Sequence, residues 1–213
     1  MMLNEQEARE LLARYGIPLN ESRAASSAAE AAEAARHIGF PVAVKALSGK
    51  IVHKSDLGLV ELNATNPGEV ILAAGRILSV AREIDPAAGV LVSAMAPPGV
   101  EVIVGGKRDP QFGPIILFGL GGIFVEIFRD ISVRVAPVDR AMAMDMIDDV
   151  KGYAVLKGAR GRKAVDLEAL AGILVAASRL MMERDEVLEL DMNPVMAYGK
   201  GAIAVDARAL VRD

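Results

Sequence analysis

Residues 187–193, VLELDMN, alternate apolar and polar side chains with the two-residue period of a β-strand. Leu188, Leu190 and Met192 then face a core, and Glu189, Asp191 and Asn193 share the other side. The segment AIAVDA follows, and a turn centred on Gly199-Lys200 makes the two a hairpin whose paired residue numbers add to 399. That register sets Asn193 opposite Asp206, with Asp191 on the same face. Two carboxylates and an amide oxygen are hard ligands, suited to Mg²⁺ shared with substrate phosphates. The same alternation also describes the solvated face of an edge hairpin.

Three other features have chemical potential. Lys45 stands in PVAVKAL, an apolar β-rich run, where a buried ammonium must snorkel to solvent or meet an anion such as a nucleotide phosphate. His53 lies in the polar stretch SGKIVHKSDLG, and a histidine can act as base, metal ligand or phosphoryl carrier, or simply sit at the surface. The GLGG at 119–122 follows a strand-like run; its backbone N–H groups suit a phosphate, and a tight turn explains it equally well. Glu126, Arg134 and the basic loop GARGRK at 158–163 read either as site charges or as solvated ones.

The elements that must position these groups follow from caps and periods. Asn4 with Glu7 and Ser27 with Glu30 have the spacing of capping boxes, so helices are expected over 5–15 and 27–38. Asn66 and Pro67 open a third helix to about Ile84, with Val70, Ala74, Ile77, Ala81 and Ile84 on its apolar stripe. Strands are expected over 41–47, 58–63, 89–95, 101–108, 114–120 and 132–137, with helices over 139–149 and 166–183. Hairpins mixed with strand–helix–strand units predict an α+β (mixed α/β) fold rather than a purely doubly wound one, with a seam near 92–99.

Composition narrows the function classes. The 213 residues are 53% hydrophobic but only 4% aromatic, which predicts a folded chain with an aliphatic core. The absence of Cys excludes a disulfide scaffold, a thiolate metal site and a thiol nucleophile, and is compatible with a cytoplasmic protein. A net charge of −4 argues against general nucleic-acid binding. No run is long and apolar enough for a membrane span, and the first residues do not have the pattern of a signal peptide.

The blocks LNEQEARELLARYGIP, GFPVAVKALS, HKSDLGLV, GVEVIVGGKRDPQFGPIILFGLGGIFVEIFRDISVRVAP and ELDMNPVM, in this order, resemble the ATP-grasp subunit of ADP-forming acyl-CoA synthetases, such as acetate–CoA ligase. The resemblance implies an ATP-grasp fold of two subdomains, 17–92 and 1–16 with 93–213, and a nucleotide cleft between them. It implies that Lys45 contacts the α- and β-phosphates and that Glu101 holds the ribose hydroxyls. The hinge residues Ser93, Ala94, Met95 and Ala96 would meet adenine through their backbone, and Gly121, Gly122 and Glu126 would lie near the phosphates. Asp191, Asn193 and Asp206 match the family's Mg²⁺ ligands, and His53 its phosphorylated histidine. ATP or ADP with Mg²⁺, and a CoA-binding partner subunit or domain, are implied as cofactors and partner. Two departures from the family pattern stand out: Leu59 where a Gly-Gly-Val is usual, expected to stiffen the backbone near the phosphates, and Ala94 in the hinge. The rival readings are a free-standing ATP-grasp ligase and a non-catalytic nucleotide-binding domain of a protein-lysine acetyltransferase.

Overall fold

The computed structural model describes residues 1–51, 54–122, 130–159 and 163–212. The chain divides into two compact units, one of residues 2–7 with 20–97, the other of residue 1, 8–19 and 98–213.

The first unit is built on a four-stranded antiparallel sheet of β1 (Ser22–Ala25), β2 (Val42–Leu47), β3 (Val60–Ala64) and β4 (Gly89–Ala94), in the order β1-β4-β2-β3. Helix α1 (Glu5–Arg14) contributes its first turn to this unit and the rest to the other. Helices α2 (Ala28–Ile38) and α3 (Pro67–Ile84) cover one sheet face. Their starts are fixed locally, since Ser27 accepts from the Glu30 N–H and Asn66 from the Glu69 N–H. The core joins Val42, Val44, Ala46, Val90 and Val92 of the sheet to Ala31, Ala35, Val70, Ala74, Ile77 and Ala81 of the helices. Each fully buried Val or Ile there contributes about 1.5–3 kcal/mol. Ile84, expected on the apolar stripe of α3, is exposed instead; it is the final residue of the helix, and burial along the stripe ends one turn earlier at Ala81.

The second unit holds six antiparallel strands. They are β5 (Val100–Asp109), β6 (Gly113–Leu120), β7 (Ile131–Val135), β8 (Val187–Ala197), β9 (Ala202–Ala204) and β10 (Arg208–Val211). The order is β10-β8-β5-β6-β7, with β9 also on β8. Helices α4 (Arg140–Asp149), α5 (Tyr153–Leu156) and α6 (Leu167–Glu183) complete it, with α6 against β5 and β6 and α4 against β7. Asp166 caps α6 by accepting from the Ala169 N–H, and its second oxygen takes the Gly201 N–H. Val102, Val104, Ile116, Phe118, Leu190 and Met192 are buried, and a Cβ on Gly106 would stand 2.8 Å from the Met181 side chain of α6. By alternation, Glu101, Lys107, Glu189 and Asp191 are left on the opposite face, while Asn193 lies where the β5–β8 register shifts.

Three features depart from the sequence expectation. Strand β1 and the single-turn helix α5 carry no periodic signal, and both arise from contacts made at long range. The C-terminal hairpin is more than two strands: β8 is an interior strand, flanked by β5 on one side, and the returning segment pairs with its other side as two short edge strands, β9 and β10.

Candidate functional site

The expected register of the last strands is observed. Val195 faces Ala204 and Ala197 faces Ala202 across β8 and β9, while Asp191 faces Arg208 and Leu190 faces Ala209 across β8 and β10. Residue numbers in every one of these pairs add to 399. Between the two ladders the Val205 N–H donates to the Pro194 carbonyl at 3.0 Å, so the register carries through the gap. Asn193 and Asp206 fall in that gap rather than in a ladder, and Asp206 turns one carboxylate oxygen to the Ala207 N–H. The buried Arg9 of α1 donates to the Val205 carbonyl at 3.2 Å and so fixes this segment from the side.

The electrostatics of this corner suit a cation. Burial pushes the Asp191 carboxyl above the usual carboxylate range, Arg208 pulls it down, and the charge of Asp206 pushes it further up. Two carboxylates that disfavour each other's charge are an arrangement that a divalent ion would relieve. Among the described residues no three His, Asp or Glu side chains gather, so a cation here would have two carboxylates and would need a further donor such as the Asn193 amide. Hard oxygen donors of that number fit Mg²⁺, which keeps several positions for water and phosphate oxygens.

In the first unit Lys45 sits on β2 between β3 and β4, nearly wholly buried, and pairs with the Glu5 carboxylate at 3.0 Å. The expectation of a lysine that snorkels or meets an anion is met by a protein carboxylate. The solvated strand-edge position is not what this arrangement displays. Lys54, equally buried, takes the other Glu5 oxygen at 2.5 Å. Burial pushes the Glu5 carboxyl up, but Lys45 and Lys54 outweigh it and hold the group below its ordinary range. Lys45 points away from the helices, as do Ala43 and its cross-strand neighbour Ser93. The Ser93 hydroxyl is buried with no hydrogen-bond partner among the described residues, an orphan that a ligand group would satisfy.

The hinge is partly committed already. The Ala94 N–H donates to Glu21 O at 2.9 Å, the Ala94 carbonyl accepts from the Asn20 amide at 2.6 Å, and the Met95 N–H donates to Pro41 O at 3.2 Å. A base at this edge would therefore use the second lone pair of Ala94 or the neighbouring Ala96. Leu59 is wholly buried in the core of the first unit, so its side chain acts in packing, while the preceding Gly58 supplies the left-handed turn at φ +66°.

In the second unit Glu101 is exposed at the start of β5, and its carbonyl accepts the Gly121 N–H at 2.8 Å. A Cβ on Gly121 would lie 2.9 Å from the Glu101 Cβ and 3.0 Å from its carbonyl oxygen, so only glycine fits there. Gly122 follows at φ +62°. Asp130 receives the N–H groups of Lys151 and Gly152, and Arg134 forms an ion pair with Asp149 instead of standing free in solvent. His53, Glu126 and the middle of the basic loop lie outside the described residues.

Sequence reasoning missed Glu5, Arg9 and Arg208. The first two had a signal: they occupy the same stripe of α1 as Ala8 and Leu12, where an exposed charge is not expected. Arg208 becomes legible only once Asp191 is paired with it.

A four-stranded unit carrying a buried lysine and a second antiparallel unit carrying two neighbouring aspartates suit an ATP-grasp domain. The model of that domain matches residues 1–211, and the chain belongs to the ATP-grasp family. It is 49% identical over 212 residues to the β subunit of acetate–CoA ligase [ADP-forming] I of Pyrococcus furiosus, covering 98% of this chain and 91% of that one. It is 43% identical to the 4-hydroxybutyrate–CoA ligase [ADP-forming] of Nitrosopumilus maritimus, where it covers 97% of this chain but 30% of that longer one. Among solved structures it is similar to acetyl-coenzyme A synthetase 1 of Ca. Korarchaeum cryptofilum. That complex holds coenzyme A and Mg-AMPPCP, with the phosphohistidine segment pointing towards the nucleotide binding site. The TM-score is 0.87 at 46% identity, over 99% of this chain and 93% of that one.

Proposed function

We propose that this chain is the nucleotide-binding part of an ADP-forming acyl-CoA synthetase and performs the phosphoryl half of acyl-CoA + ADP + Pi ⇌ carboxylate + CoA + ATP. The single observation that carries the reading is the convergence of Asp191 and Asp206, held in one register across a gap between two ladders. Asp191, Asn193 and Asp206 would hold Mg²⁺. When bound, the ion neutralises charge on the phosphate oxygens. Lys45 would contact the α- and β-phosphates, Glu101 the ribose hydroxyls, and the hinge of Ser93, Met95 and Ala96 the adenine. The close fit of Gly121 against Glu101 keeps the Gly121–Gly122 turn narrow enough for a phosphate to approach.

The chain's own groups orient and neutralise, which is the protein's main share in phosphoryl transfer. His53 would carry the phosphoryl group. Toward ATP, the P–N bond of phosphohistidine breaks as a terminal oxygen of ADP forms the new P–O bond, and the imidazole leaves. In reverse, an imidazole nitrogen takes the γ-phosphoryl group and ADP leaves. Acid activation and CoA binding belong to a partner subunit or domain, and the setting is the cytoplasm. Among the described residues no helix is long and apolar enough to cross a membrane.

The test is labelled phosphate transfer from ATP, with a CoA-binding partner present, to the parent, His53→Ala and His37→Ala chains. His37 is exposed on α2 and serves as the control. Label is expected on the parent and on His37→Ala and lost in His53→Ala; label that persists in His53→Ala would remove His53 as the carrier.

A further inference from the structure

A cavity of about 560 Å³ lies within the second unit, and none of the residues around it is assigned to the nucleotide or the metal. Its volume is in the range of small-molecule sites. Helix α6 forms one part of the wall through Gly172, Ile173 and Ala176. Tyr15, just past α1, and the turn from Tyr198 to Ile203 between β8 and β9 form the rest. Local bonds hold this wall in place before anything binds. The Gly201 N–H donates to the Asp166 carboxylate at 2.9 Å, the Tyr198 N–H to the Gly201 carbonyl at 3.1 Å, and the Tyr15 N–H to the Leu12 carbonyl at 3.0 Å.

Three features of the wall point to a flat anion. The first is charge. Arg179 and Lys200 both line the cavity, and neither has a carboxylate partner among the described residues. Glu183, one turn beyond Arg179, meets the Tyr15 hydroxyl instead. Arg179 is already oriented: it donates to the Tyr15 carbonyl at 3.1 Å, and its guanidinium lies 5.4 Å from the centre of the Tyr15 ring. The remaining N–H groups of its fork suit a carboxylate. The second feature is aromatic surface, since two of the chain's three tyrosines, Tyr15 and Tyr198, line this one cavity. Such rings favour stacking on a flat partner. The third is Gly172, inside the 17-residue helix α6. A glycine there costs about 1 kcal/mol relative to alanine. A Cβ at that position would meet nothing within 4 Å, so no packing within the chain requires the glycine. Its missing side chain leaves bare helix backbone in the cavity wall, against which a ring can lie.

We propose that this cavity binds a small aromatic carboxylate, with its ring against Gly172, Tyr15 and Tyr198 and its carboxylate on Arg179 and Lys200. An apolar wall alone would accept a neutral molecule equally well; the two cations turn the preference to acids. The inference stands apart from the nucleotide reading, and its failure would leave that reading intact.

The experiment titrates the full chain, with its tyrosine rings labelled for NMR, with 2-naphthoate and with the neutral 2-naphthalenemethanol. The Tyr15 and Tyr198 signals are expected to move, while Tyr153, on α5 and outside this wall, stays as the internal control. Naphthoate is expected to bind at least tenfold tighter than the alcohol. Arg179→Gln and Lys200→Gln should each weaken naphthoate several-fold and leave the alcohol unchanged. Lys200→Gln, an exposed position, carries this arm if Arg179→Gln disturbs the Tyr15 turn. Gly172→Leu fills the space and should weaken both probes tenfold or more, with the melting temperature unchanged or raised. Unmoved Tyr15 and Tyr198 signals at millimolar naphthoate, or equal movement of Tyr153, would overturn the site. So would naphthoate no tighter than the alcohol, an affinity unchanged in Lys200→Gln, or undiminished binding to folded Gly172→Leu.

Discussion

Asp191, proposed above as a metal ligand, opposes the fold that carries it. Its carboxyl is pushed up mainly by burial, against the pull of Arg208 and with the push of Asp206. A carboxyl raised in the folded state binds a proton there more readily than in the unfolded chain, so its contribution to stability falls as pH rises from the ordinary carboxylate pKa through the raised one. Asp191→Asn should therefore raise the melting temperature of the metal-free chain at neutral pH and flatten its pH dependence just above the usual carboxylate range. The same change should weaken Mg-ADP binding at least tenfold, about 1.4 kcal/mol. Paired melting and calorimetry measurements check this, and a variant both less stable and equally tight would contradict it. Asp206→Ala should lower Mg-nucleotide affinity by a similar factor with little effect on melting, since this half-buried residue lies between strands and its loss opens no core cavity. Magnesium titration of nucleotide binding is the measurement. The convergence of these residues was legible from alternation and the position of one turn, because hairpin register is fixed locally. The Arg208 partner was not read, although the same register specifies it.

At the scale of elements, helix starts are the most legible features. Asn4, Ser27, Asn66, Asp139 and Asp166 each accept an N–H three residues on, a bond that depends on local spacing alone. Strand β8 was recognised as one arm of a closing hairpin, but its second neighbour β5 was not read, since a two-residue period does not count neighbours. Leu59 was read at the start of a strand over 58–63, and its side chain, which that reading assigned to no core, is wholly buried in the core of the first unit. Leu59→Ala should cost about 2–5 kcal/mol of unfolding free energy by denaturant titration, the range for a large-to-small core change. A cost below about 0.5 kcal/mol, typical of surface positions, would show that the side chain is not part of that core.

For the whole molecule, the expected behaviour is that of one half of a machine. Mg-ADP at a hundred times its dissociation constant should stabilise the folded chain by about 2.7 kcal/mol, visible as a rise in melting temperature. The purified chain alone should make no acyl-CoA from acid, CoA and ATP, and product formation without a partner would favour a complete ligase. The sequence by itself determined the α+β class, the helix starts, the aliphatic core and the register of the last hairpin, which brings Asp206 within reach of Asp191. All of these depend on neighbours within a few residues or on one turn. Only the tertiary structure decided that Lys45 is buried against Glu5, that Lys54 joins them, that Arg9 clamps Val205 and that β8 is interior. Those contacts join segments tens to nearly two hundred residues apart, and their partners are selected by packing and by the cost of leaving a buried charge alone, which no local period records.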